Sequence, residues 1–187
     1  MPANRRKFQR LYGIRSYRKL FVLSVEGEKT EPQYFAIFNS QDSVIQVKCL
    51  NGRHNSAPSY VLRRMEEYIR QNGLKGTDEA WLIVDKDRWT DDQLELLYAW
   101  TKKSKNFNFA LSNPKFEYWL LLHFEDGAGL TSSQDCSNRL SKHLKDYDKT
   151  VNKIKFTPEQ INNAISRAKK RDTPPCPDWP RQLGATT

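Results

Sequence analysis

The chain has 187 residues, with 31 Lys and Arg against 22 Asp and Glu and a formal net charge of +9. That length suits one domain of ordinary size, with a core that needs no disulfide staples. Three scattered cysteines (Cys49, Cys136 and Cys176) without a CxxC pair exclude a zinc ribbon, no apolar run reaches a membrane span, and a cytoplasmic chain with reduced thiols is expected.

In chain order, residues 1–19 form a basic arm with seven Arg or Lys and no acid, in which Phe8, Tyr12 and Tyr17 alternate with arginines. Such a mixture suits base stacking and phosphate contact, and equally an arm folded over the domain. Residues 20–25, "LFVLSV", read as a buried strand that runs into Glu26 and Gly27. Residues 31–40 read as a short helix, with Thr30 as N-cap and Pro32 in the first turn. Residues 44–50 form a second strand, and "NGRHNS" after it is a polar loop carrying Arg53 and His54. Residues 56–72 place Val61, Leu62, Met65, Tyr68 and Ile69 at helical spacing, and Gly73 ends the helix.

Residues 80–84 form a third buried strand, ending in "VDKDRW". A helix over 90–104 follows, capped by Thr90 or Asp91. Residues 106–111 alternate as a fourth strand, and 114–124 form a helix with Pro114 in its first turn. Residues 127–172 read as a basic helical extension, helical over 131–171, and 173–187 as a proline-rich tail, extended or docked on a sheet edge. Trp81, Phe107, Phe109, Trp119 and Phe124 are expected in the core.

Strands separated by helices predict an α/β fold, a Rossmann-like parallel sheet of about four strands flanked by helices over residues 20–126. In the doubly wound order 2-1-3-4, strands one and three are neighbours, and ligands gather at the carboxyl ends of the strands. Glu26, Asp85 and Asp87 then share one rim, with Asn113 and Glu117 alongside. In extended backbone Asp85 and Asp87 point to the same side. Carboxylates gathered this way repel one another unless a cation sits among them, and Mg2+ is the natural one because it is content with one or two carboxylates plus water and phosphate oxygens. The alternative is that these acids cap helices and solvate loops. Glu31 reads as first-turn helix charge, Asn113 as a helix cap, His123 as a core histidine, and Glu117 as either a metal neighbour or structural.

The charge is unevenly spread. Residues 138–172 hold ten basic residues against four acids, while residues 20–137 hold 13 against 17. Basic flanks on a mildly acidic body point to nucleic acid, with phosphate contacts from Arg5, Arg6, Lys7 and Arg10 in the arm and from Lys29, Arg53, Lys86 and Arg88 near the rim. Lys29, Lys86 and Arg88 could instead pair with the neighbouring acids. No phosphate-binding GxxxxGKS loop is present, so the chain is not expected to hydrolyse ATP by itself.

"VEGEKTEPQYF", "DKD" and "SNPKFEYWLLLHF", in that order, resemble the RloB-like family of bacterial defence-associated proteins with a Toprim-type domain. The Toprim pattern, a strand ending in Glu-Gly and a later strand carrying Asp-x-Asp, falls on Glu26–Gly27 and on Asp85 and Asp87. The resemblance implies a Mg2+- (or Mn2+-) dependent nuclease, with Glu26 as general acid/base and Asp85 and Asp87 holding the metal. It also implies an ABC- or AAA-type ATPase partner and a role in anti-phage defence. Two other readings stay open, a catalytically silent nucleic-acid-binding or regulatory subunit and a phosphotransferase acting on a small phosphorylated molecule.

Overall fold

The computed structural model describes residues 18–50, 52, 57–87, 89–145, 151 and 156–187. Five strands form one sheet in the order β2-β1-β3-β4-β5. Strands β1 (Lys19–Val25), β2 (Ile45–Leu50), β3 (Glu79–Asp85) and β4 (Phe107–Asn113) run parallel, with β1 between β2 and β3. The expected 2-1-3-4 order is therefore present. The fifth strand, β5 (Ala185–Thr186), pairs antiparallel with β4, so the proline-rich tail returns to close the sheet edge. Trp179 of that tail is almost fully buried and packs on Tyr98 and Phe109.

Residue alternation along the strands sends side chains to two faces. Val22, Leu82, Val84 and Leu111 face α2 (Pro58–Asn72) and α3 (Asp91–Thr101), where they meet Val61, Met65, Leu94 and Leu97. Apolar residues at helical spacing put Val61 and Met65 on one side of α2. Gly73 ends that helix at φ +66°, a conformation that costs a glycine little. Helix α3 opens with a capping box in which Thr90 accepts from the Gln93 N–H and Gln93 reaches back to Thr90.

Leu23, Val25 and Ile83 point to the other face. There α1 (Thr30–Phe35) and a 3-10 turn (Ala36–Phe38) lie near α4 (Phe116–Leu121). Tyr34, Phe116, Leu120 and Leu121 form one core with Cys136 and Leu140 of α5 (Ser133–His143) and Ala164 of α6 (Pro158–Arg171). The basic segment after residue 126 thus contains two helices packed on α4. No helix among the described residues is long and apolar enough to cross a membrane.

Two local expectations are corrected. Lys29, not Thr30, occupies the N-cap position of α1, and no side chain caps that helix. Thr30 is already helical because the chain turns one residue earlier, where Glu31 folds back on Gly27. Asn113 does not cap α4, whose N-cap position is Lys115. It is still in β4, and its Nδ2 donates to the Arg181 carbonyl, which ties the tail to the sheet.

Candidate active site

The rim at the carboxyl ends of β1 and β3 is acidic and partly desolvated. Glu26 follows the last residue of β1, and its N–H donates to the Ile83 carbonyl (3.2 Å), continuing the β1–β3 ladder by one step. Its carboxylate reaches across to β3 and accepts from the Asp85 N–H (3.2 Å) and from Trp89 Nε1 (3.2 and 3.3 Å). Burial holds the Glu26 pKa above its ordinary value, and the charges of Glu31 and Asp87 add to that rise against the two hydrogen bonds.

Asp85 is the last residue of β3. Its pKa lies well above the usual carboxylate value, first because the group is desolvated and then because Glu31, Glu26 and Glu117 are close in charge. A hydrogen bond from the Phe116 N–H at the start of α4 opposes the rise. Glu117 lies in the first turn of that helix. Three carboxylates, Glu26 after β1, Glu31 of α1 and Glu117 of α4, thus act by charge on Asp85 at the end of β3.

Asp87 differs from expectation. The strand ends at Asp85, and Asp87 sits in a turn with φ +21°, exposed, its N–H donating to the Pro114 carbonyl (2.8 Å). The argument from extended backbone therefore does not apply to this pair. Asp87 still acts on Glu26 by charge.

Glu31 is the acid whose position the sequence understated. It is only 5% exposed, and its Oε1 accepts from the Gly27 N–H at 2.8 Å. A Cβ on residue 27 would lie 2.1 Å from Glu31 Oε2, so glycine is the residue that lets the carboxylate lie over the turn. Cys49 of β2 feels the Glu31 charge, and burial with that charge pushes its thiol up to about 12.

Two further residues were not singled out in the sequence. Trp89 holds Glu26 as described, and Arg64 of α2 donates from Nη2 to the Val25 carbonyl (2.6 Å). The Glu26 charge favours the Arg64 cation, while burial disfavours it. The "W" of "DKDRW" was the only sequence signal for either.

Among the basic residues, Lys86 donates from Nζ to Asp91 Oδ1 (2.7 Å) and to the Trp89 carbonyl (2.8 Å), so it braces the loop after β3. Lys29 is exposed at the start of α1. Arg5, Arg6, Lys7, Arg10, Arg53 and Arg88 lie outside the described residues, as does His54. His123 is a core residue, as expected. Its Nδ1 lies 3.0 Å from the Trp119 carbonyl and must donate to it, so Nε2 accepts from the Tyr34 hydroxyl at 3.0 Å. Burial lowers its pKa to about 4, and the ring is neutral at pH 7.

The donors at the rim are all oxygens, and mutual repulsion among desolvated carboxylates is relieved by a hard cation. Among the described residues, however, no three His, Cys, Asp or Glu side chains stand as a ready-formed metal cage. Mg2+ needs no such cage, since one or two carboxylates with waters suffice. The residue chemistry fits that ion.

Comparison with curated proteins found no match, and comparison with solved structures found none. The family model for RloB-like protein matches residues 21–187, a span that begins in β1 and ends past β5 and so takes in nearly all of the sheet and the acidic rim. The chain belongs to the RloB-like family.

Proposed function

We propose that the rim is the active site of a magnesium- or manganese-dependent nuclease of the Toprim type, hydrolysing phosphodiester bonds in DNA or RNA, with tRNA among the candidates. One observation carries this reading. Glu26 and Asp85, 59 residues apart, meet in a partly desolvated acidic cluster where both carboxyl pKa values are raised. Clusters of this kind are concentrated at functional sites.

In this reading Glu26, Asp85 and Asp87 hold the ion, with Glu117 beside Asp85. When bound, the ion would offset the carboxylate charge and supply stabilisation of negative charge on a phosphate. Glu26 is the proton carrier. Burial raises its carboxyl pKa, which favours the protonated form it needs when it returns a proton. The Asp85 N–H and the Trp89 indole hold its carboxylate in one orientation.

Substrate is held through phosphates rather than bases. Lys142, Lys169 and Lys170 on α5 and α6 are exposed, as is Lys29 beside the rim, and each can neutralise a phosphate. The arm residues Arg5, Arg6, Lys7 and Arg10, with Arg53 and Arg88, complete the same proposal. An ABC- or AAA-type ATPase partner and a role in anti-phage defence extend it through the family resemblance.

A second reading is a catalytically silent nucleic-acid-binding subunit, in which the Glu26 carboxylate serves only to tie the ends of β1 and β3 together through the Asp85 N–H and the Trp89 indole. The two separate on incubation with labelled tRNA, single-stranded DNA and plasmid in Mg2+ or Mn2+, with and without the ATPase. Cleavage that disappears in Asp85→Asn while binding persists supports the nuclease. Binding without cleavage under every condition supports the silent subunit.

A further inference from the structure

The sheet face opposite α2 and α3 is only partly covered by α1, α4 and α6, which leave Phe21 and Trp81 half-buried. An apolar groove of about 550 Å3 runs along it, floored by Phe21, Leu23, Trp81 and Ile83. Phe38 and Ile45 line it beside the turn into β2, and Ile165 of α6, 39% exposed, lines it across from the sheet. Parallel sheets are ordinarily covered on both faces, so this floor calls for an occupant.

Three observations identify that occupant as the chain's own start. The first is attachment. Phe21 of the floor lies two residues into β1, and Arg18 just before the strand donates to the carbonyls of Ser40 (3.2 Å) and Gln41. Those carbonyls lie between Phe38 and Ile45 in the chain, so Arg18 is held at that end of the groove. The second is reach. The 17 residues before Arg18 span on the order of 55 Å when extended, longer than a groove of this volume. The third is composition. Phe8, Leu11, Tyr12, Ile14 and Tyr17 bring five large apolar or aromatic side chains within ten positions, interleaved with Arg10 and Arg15.

We propose that residues 8–17 lie in this groove, with their apolar side chains against Trp81 and Ile83 and their arginines turned to solvent. The arm then completes the second layer of the fold and leaves its cations outward. This inference stands apart from the nuclease reading, and its test uses no cleavage.

The test uses the full chain with a photoreactive benzoylphenylalanine in place of Phe8 or Tyr12, irradiated as an equal mixture of light and heavy-nitrogen protein. The expected products are links within one chain, at monomer mass, to peptides carrying Trp81, Ile83 or Ile165. Links joining light to heavy chains at those peptides make a second copy the occupant and overturn the proposal, as does the absence of any link to groove peptides. In parallel, full-length Leu11→Ser/Tyr12→Ser/Ile14→Ser should bind an anilinonaphthalene dye several-fold more brightly than the unaltered chain, with unchanged far-ultraviolet circular dichroism. Equal dye fluorescence in the two folded proteins also overturns it.

Discussion

Gly27→Ala probes the acidic turn most directly. The new methyl would lie 2.1 Å from Glu31 Oε2 and 2.6 Å from Oε1, well inside van der Waals contact, so the carboxylate must leave. What is lost is the 2.8 Å hydrogen bond from the Gly27 N–H to that carboxylate. A hydrogen bond to a charged group is worth about 1.5–3 kcal/mol, and Glu31 is buried, so about 2 kcal/mol is expected. In a chain of this size that corresponds to a drop in Tm of roughly 4–8 °C. Residue 27 is not held at positive φ, so alanine is not excluded by its backbone. The same substitution in a Glu31→Ala background should therefore cost almost nothing. The assay is a double-mutant cycle by urea or thermal unfolding, with an expected coupling of about 1.5 kcal/mol or more. Additive effects within about 0.5 kcal/mol would refute the reasoning, because the methyl would then be harmful for a reason unconnected with Glu31.

Asp85→Asn should stabilise the protein at neutral pH. A carboxyl whose pKa is raised by folding contributes stability that is complete below its ordinary value of 3.8 and is lost as pH rises through the folded value, at up to about 1.4 kcal/mol per pH unit. Asparagine removes that loss, and its Oδ1 can keep the hydrogen bond from Phe116, so unfolding measured from pH 4 to 8 should show a flatter profile than wild type. Mg2+ or Mn2+ at millimolar concentration should raise the Tm of the wild-type chain by mass action, and Asp85→Ala should abolish that shift in a thermal scan. Glu26→Gln should lower cleavage by about 10²–10⁴-fold with little change in nucleic-acid affinity, read by single-turnover cleavage and filter binding. Trp179→Ala should cost about 3–5 kcal/mol in urea unfolding, since the tail's buried indole packs on Tyr98 and Phe109.

Local pattern made much of this protein legible. Near-continuous apolar runs marked β1 and β3, alternation marked β4, helical spacing marked α2, and Gly73 and Thr90 marked a stop and a cap, because each signal acts within a few residues of itself. The acids at the strand ends were equally visible, and the order of strands and helices implied that β1 and β3 would bring Glu26 and Asp85 together. Tertiary structure alone decided the rest, because the deciding contacts join distant residues or depend on which groups lose water. Trp89 reaches Glu26 across 63 positions, and Arg64 reaches Val25 across 39. Glu31 looked like ordinary first-turn charge until its side chain was found buried over Gly27. Asp87 left the strand direction because its N–H is taken by Pro114 on the neighbouring loop. An extended tail and one docked on a sheet edge were both open from the sequence, and only the tertiary structure chose the second, since a two-residue pairing with β4 has no period of its own.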